Sequence, residues 1–395
     1  MHLNKNDKRA LSYIFRVNEQ VYIMNIEAVR NDFPALREWT YLDSAFVGLF
    51  PRQVKEGYID FIDRWMNFSV EGTKTILTEW LEKTSKVRNM VADLVGASPS
   101  EIAFTACTGS GLNVVINGMR WEKGDNVVFP VWEHNPLDTY TLRKHGVETR
   151  PIDVRNGSVE LSDLEKKVDD KTKLLQVSQV SYVNGFRFDL KDVSDIAHEH
   201  GAKVLVDSTQ AVGAFETNFR RDDVDFVSAA PYKYLMGPAG LAFLYVRSEN
   251  LAELVPDRTG WKNQIWKGDR AEEPIDLDTA EKFEYGTIHF QGVYALEKSL
   301  EYLERIGIDT VERRNLELSS YLWDEVNNLS KKMYTPEDTK SPIVSFYQED
   351  ALGLAAKLMG CKVKVTGREA HGGHVRISVH FYNTKEDVDN LIQRL

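Results

Sequence analysis

The chain has 395 residues, of which 42% are apolar and 28% charged, enough to bury two domain cores. A formal charge of −11 speaks against a nucleic-acid or anionic-membrane partner, and no apolar run reaches the length of a membrane span. The two cysteines, Cys107 and Cys361, lie far apart, which argues against a disulfide framework and for a reducing, cytoplasmic setting.

The first stretch, Met1 to Tyr22, is polar and of mixed charge, without the apolar centre of a signal peptide; residues 1–23 read as a poorly ordered extension. Asn31–Phe50 has little regular pattern and is expected to pack near a cleft between two domains. From about residue 80 to 246, apolar runs alternate with helical patterns. Strands are expected at Glu101–Thr105, Asn126–Val131, Leu174–Val180, Lys203–Val206, Phe226–Ala229 and Leu241–Val246. Helices are expected at Trp80–Val95, Gly111–Gly118, Pro136–His145, Leu161–Val168 and Leu190–His200, with Ser162 and Glu165 offering a capping box for the fourth. This alternation predicts an α/β fold with a mostly parallel, doubly wound sheet, whose ligands sit beyond the carboxyl ends of the strands. Beyond it, helices Gln291–Ile306 and Thr310–Leu329, strand Ile343–Tyr347, a helix near Leu352–Met359, strands Lys362–Val365 and Val375–Phe381, and a last helix capped by Thr384 and Asp387 describe a smaller α/β domain. The expected division is 44–285 for the large domain and 24–43 with 286–395 for the small one.

Lys233 follows the strand Asp225–Ala229 and precedes the turn Gly237-Pro238-Ala239-Gly240, which leads into another apolar strand. An amine fixed there is placed to be desolvated, with a depressed pKa suited to forming a Schiff base, although a loop lysine snorkelling to water is equally compatible with this segment alone. Asp207 closes its strand, with Gln210 three residues on. Alone, such an acid is more often an N-cap. An acid for a pyridine nitrogen, a polar group for a phenolic oxygen and a lysine amine are together what pyridoxal phosphate requires.

The chain resembles the class V aminotransferase family of fold type I pyridoxal-phosphate enzymes, which includes cysteine desulfurases and isopenicillin N epimerases. The resemblance runs from about Phe33 to Leu395. It is carried by Phe33-Pro34-Ala35-Leu36 with Tyr41-Leu42-Asp43, Glu133-His134, Asp207-Ser208-Thr209-Gln210, Lys233 with Gly237-Pro238, Phe283-Glu284-Tyr285-Gly286-Thr287, and Arg376-Ile377-Ser378 with Phe381-Tyr382-Asn383-Thr384. It implies a seven-stranded large sheet, Lys233 as the internal-aldimine lysine and proton shuttle, Asp207 on the pyridinium nitrogen, Gln210 on the phenolic oxygen and His134 stacked on the ring. The phosphate site falls in Thr105–Gly111, between strand and helix, with Thr108, Gly109 and Ser110 as its contacts and Tyr232 as a further one. Thr287 matches a residue that reaches the neighbouring subunit's phosphate, which implies a homodimer. Arg376 matches the arginine that grips the substrate carboxylate, a role suited to its fork of donors. Near the phenolic oxygen, Tyr182 aligns by position and Asn184 by chemistry; Asn184 is preferred.

The chain also departs from the family. Cys361 precedes a strand that a desulfurase nucleophile should follow, and the loop Thr366–His374 has no thiol, so Cys361 and Cys107 read as small buried hydrophobes. Ala230 stands where a serine or threonine often helps hold the phosphate. His371 and His374 lack the acidic or thiolate companions of a metal site, and no metal is expected. The resemblance implies an enzyme acting on a small α-amino acid by transamination, elimination or epimerisation. Sulfur transfer of the cysteine desulfurase or selenocysteine lyase kind, and a non-catalytic coenzyme-binding regulator, are the alternatives.

Overall fold

The computed structural model describes residues 12–17, 20–71, 73–134, 140–265 and 275–395. Its centre is a seven-stranded sheet made of β1 (Ile102–Thr105), β2 (Asn126–Pro130), β3 (Glu148–Ile152), β4 (Thr172–Ser178), β5 (Lys203–Asp207), β6 (Phe226–Ala229) and β7 (Ala242–Val246). The order across the sheet is β1-β7-β6-β5-β4-β2-β3. β2 to β6 pair in parallel, and β7 runs antiparallel to both β6 and β1. The central strands carry apolar cores because helices cover both faces, so Val204, Leu205 and Val206 are wholly buried. Six strands lie within two residues of their expected bounds. The seventh, β3, was not foreseen, because an edge strand containing Glu148, Arg150 and Pro151 carries no apolar run.

The main helices are α1 (Arg52–Glu71), α2 (Thr73–Val95), α3 (Thr108–Gly118), α4 (Leu190–Glu199), α5 (Phe290–Ile306), α6 (Ile308–Asn328), α7 (Ala351–Gly360) and α8 (Lys385–Ile392). α1 also escaped the sequence pattern: it buries Val54 and Phe61 but exposes Ile62, Trp65 and Met66, so its apolar residues do not form one stripe. It lies close against α5, where a Cβ on Gly57 would stand 2.4 Å from the Tyr294 carbonyl oxygen. The expected Ser162–Glu165 capping box is absent. The helix Leu161–Lys167 starts at its expected residue but is capped by Glu160, two residues before Ser162, without a side-chain bond, because Leu164 is buried and Leu161 packs beside that core. The box on α8 does form, with the Asp387 carboxylate accepting from the Thr384 amide at 3.1 Å. The helix expected from Pro136 covers Tyr140–His145; residues 135–139 lie outside the described residues.

A second sheet places β8 (Ile343–Tyr347), β10 (His374–Ser378) and β9 (Thr366–Arg368) side by side, all antiparallel. Thr40–Tyr41 pairs in parallel with Val363–Lys364, which carries Leu42 into the core beneath this sheet and sets Asp43 beside Ser378. The patternless stretch before Phe50 thus runs along the second sheet toward Lys233, since the Gly48 amide donates to the Tyr232 carbonyl at 2.9 Å. Ser12–Val17 and Gln20–Asn25, read from sequence as part of an unpatterned extension, pair as an antiparallel hairpin. Residues 1–11 lie outside the described residues. No described helix is long and apolar enough to cross a membrane.

Candidate active site

The segment after β6 is clamped on both sides. The Gly237 amide closes onto the Pro231 carbonyl at 2.8 Å and the Met236 amide onto that of Lys233 at 3.0 Å. Across from them, a Cβ on Gly48 would stand 1.9 Å from the Lys233 carbonyl oxygen, so only glycine fits. This backbone holds the Lys233 side chain at 9% exposure. Burial pulls its amine from 10.5 to about 8; Asp207 opposes the shift, while Arg376 and Arg368 add to it. A neutral amine is therefore accessible near physiological pH.

Asp207 ends β5 between Ser178 of β4 and Ser228 of β6, and its Oδ1 accepts from the Thr209 amide at 3.0 Å. The Thr209 hydroxyl meets that of Thr108 at 2.7 Å, tying the strand end to the head of α3. α3 is pressed onto β6 there: a Cβ on Gly111 would lie 2.3 Å from Ser228 Oγ. Thr108 and Gly109 open the helix, and Ser110 Oγ lies 3.2 Å from Cys107 Sγ. Burial raises the Tyr232 phenol, and Asp207 and Cys107 push it the same way. Gln210 donates to the Ala45 carbonyl at 3.0 Å, while its buried Oε1 meets no partner among the described residues.

Arg376, on β10, is wholly buried. It donates to the Tyr182 carbonyl at 2.7 Å and lies 3.5 Å from Asp43 Oδ1, and its Nε has no partner among the described residues. Burial, then Arg368, pulls the guanidinium from 12.5 to about 10, still charged at neutral pH. His134 follows β2 and is exposed, its ring meeting that of Tyr182 edge-on at 5.1 Å.

The structure does not bring Asn184 to this group. It is fully buried and donates to the carbonyls of Gly157 at 2.7 Å and Tyr334 at 3.0 Å, with Oδ1 accepting from the Phe186 amide. Both donors are committed to the scaffold, and the residue beside His134 and Arg376 is Tyr182. Thr287 is exposed in the segment before α5. Cys107 and Cys361 are exposed rather than buried, one at the N-cap of α3 and the other just past the end of α7. His374 is buried and His371 is not, and no group of three metal-ligating side chains occurs among the described residues.

Sequence reasoning gave no role to three residues the structure places here. Asp43 bridges Arg376 to the Thr366 hydroxyl, which donates to it at 2.7 Å. Glu133 is buried beside the carboxyl end of β4, accepting from the Ser178 amide at 2.9 Å and hydroxyl at 2.6 Å. Arg368 stands 5.0 Å over the Tyr182 ring. The adjacency of Glu133 to His134 was a visible signal for the second; for Asp43 and Arg368 the signal is cross-strand register, which a single sequence does not display.

A desolvated lysine beyond the carboxyl edge of a seven-stranded sheet, next to a strand-end aspartate, defines a fold type I pyridoxal-phosphate-dependent enzyme. The chain belongs to the aminotransferase class-V family, which matches residues 40–391 and uses that coenzyme. It is 31% identical over 393 residues to a probable cysteine desulfurase of Methanothermobacter thermautotrophicus, covering 94% of this chain and 98% of that protein. It is 30% identical over 402 residues to the cysteine desulfurase of Escherichia coli K12, covering 94% and 98%. Among solved structures, apo cysteine desulfurase from Thermococcus onnurineus NA1 superposes with a TM-score of 0.85 at 28% identity, over 93% of this chain and 96% of that one.

Proposed function

We propose that this enzyme acts on a small α-amino acid, with Lys233 as the group that takes and returns the Cα proton. The observation that carries the reading is the Lys233 amine, buried, flanked by Asp207 and Arg376, and titrating near 8. The residues fit pyridoxal phosphate: Lys233 and Asp207 for its two ends of ring chemistry, Gln210, whose Nε2 keeps a second N–H beyond the one given to Ala45, for the ring oxygen, His134 for the ring face, and Thr108, Gly109, Ser110 and Tyr232 for the phosphate. When bound, the coenzyme supplies the electron sink that makes the Cα proton removable. Arg376 orients the substrate through its carboxylate, since its guanidinium is desolvated and only loosely held by Asp43. Transamination, β-elimination with C–S cleavage, and epimerisation share this proton transfer.

A second reading, sulfur transfer of the desulfurase or selenocysteine lyase kind, is favoured by the relatives' names and by the exposure of Cys361. Against it, Cys361 ends α7 ahead of Val363–Lys364, and the loop joining β9 to β10 has no thiol. Cys361→Ser separates the two: loss of sulfide release from cysteine selects sulfur transfer, and an unchanged rate removes it. Two unpaired exposed thiols suit a cytoplasmic enzyme, and the exposed Thr287 suits a homodimer in which it reaches the neighbouring site.

The direct test is Lys233→Ala. The purified variant should show no visible absorbance band on addition of pyridoxal phosphate and no turnover, and borohydride should label wild-type protein at position 233. Turnover retained by the variant would overturn the proposal.

A further inference from the structure

The hairpin β9–β10 carries a second guanidinium that the proton transfer does not use. Thr366 stands opposite Arg376, and Arg368 opposite His374. Residues directly opposite share a face, as do residues two apart on a strand, so Thr366, Arg368, His374 and Arg376 all face one way. That face is the site's, because Thr366 and Arg376 both meet Asp43. Arg368 is therefore the diagonal neighbour of Arg376, with about 7–8 Å between their backbones. Its guanidinium lies over Tyr182, whose ring touches His134, which sets it between the carboxylate grip and the expected ring face.

The charges there do not balance. Asp43 is shared by Arg376, Thr366 and Lys364, the last at 3.5 Å. No acid lies within ion-pair distance of Arg368 among the described residues, and its Nε is buried without a partner. Directly across, His374 is wholly buried, and no side chain pairs with either ring nitrogen; the nearby Ala370 carbonyl is the one group that favours its charged form. Burial and the two arginines pull it from 6.5 to about 4, so it is neutral and offers one N–H without adding charge. An α-carboxylate satisfies Arg376 and leaves this second pair of donors open. Buried unpaired donors are costly and call for an anion.

We infer that Arg368 and His374 form a second anion subsite, so that the preferred substrates are α-amino acids with an acidic side chain, a carboxylate or a sulfinate. The inference rests on the proposed amino-acid chemistry at Lys233.

The test is equilibrium titration of the holoenzyme, read by its visible absorbance, with L-aspartate, L-glutamate and L-cysteine sulfinate against L-alanine and L-cysteine. At least one acidic amino acid should bind tenfold or more tighter than L-alanine. Arg368→Gln should cut that acidic-to-neutral ratio at least tenfold, and Arg368→Lys, which keeps the charge but not the fork, should recover part of it. The holoenzyme band of each variant reports that it has folded. Acidic amino acids binding no tighter than L-alanine, or a ratio unchanged in Arg368→Gln, overturns the inference while leaving the parent reading intact. Absence of any band in wild-type protein overturns both.

Discussion

Gly48 is the clearest case of one atom deciding the site. A methyl group there would occupy the same space as the Lys233 carbonyl oxygen, 1.9 Å away, and that oxygen also accepts the Met236 amide that closes the turn. Backbone cannot give way as a side-chain tip can, so Gly48→Ala should cost about 1–3 kcal/mol in denaturant unfolding. It should also weaken pyridoxal phosphate binding by shifting Lys233. A variant with wild-type stability and coenzyme affinity would contradict the clamp. Asn184 makes the opposite point. Its donors satisfy two buried carbonyls, so Asn184→Ala should lose about 2–4 kcal/mol of stability while leaving the visible spectrum of the holoenzyme unmoved. A spectral shift without loss of stability would return it to the site. At this scale the burial of Lys233 beside Asp207 and Arg376 was legible because strand patterns and motif spacing flank them. Asn184 was misplaced, because an amide's chemistry does not say whether it faces a ligand or the scaffold's own carbonyls.

Elements were legible where burial imposes a period. β6 and β8 match their sequence bounds residue for residue, since every position is apolar or small and all but Tyr347 are buried. β3 and α1 failed for one reason: an edge strand and a helix with exposed Trp65 and Met66 lack the one-sided burial that writes a pattern. Glu133, just after β2 and against the end of β4, gives this scale its own prediction. Burial raises its carboxyl from 4.5 to about 8, Asp207 adding to the shift and Ser178 opposing it. The folded protein then binds more protons than the unfolded chain between those two values, so this group's stabilisation is intact below pH 4.5 and is lost as pH rises through about 8. Glu133→Gln keeps an acceptor for the Ser178 amide and a donor for its hydroxyl, yet never ionises. Coenzyme-free protein unfolded in urea should show the variant matching wild type near pH 5 and exceeding it by a few kcal/mol near pH 8.5. Identical pH profiles would mean that Glu133 is ionised in the folded state.

At the scale of the whole molecule the open matter is whether one chain completes the site. Thr287 follows the buried Glu284, which Arg88 anchors at 2.6 Å, yet is itself exposed; the apolar side chains of Phe46, Trp65 and Tyr285 are exposed too. A threonine turned to solvent three residues beyond an anchored glutamate is what the proposed homodimer requires. Mixed dimers decide the point. Lys233→Ala leaves a chain without the reactive amine but with its Thr287, and Thr287→Tyr leaves the amine but blocks the hydroxyl's place. If Thr287 acts across the interface, a heterodimer of the two has one site with both defects and one with neither. Mixing two nearly inactive proteins under conditions that exchange subunits should then restore about half of wild-type activity per heterodimer. If Thr287 serves only its own chain, each site keeps one defect and mixing restores nothing, whatever the oligomeric state. Sedimentation of the separate variants supplies the control, because a Thr287→Tyr protein that is monomeric would show that the residue holds the subunits together rather than finishing the site.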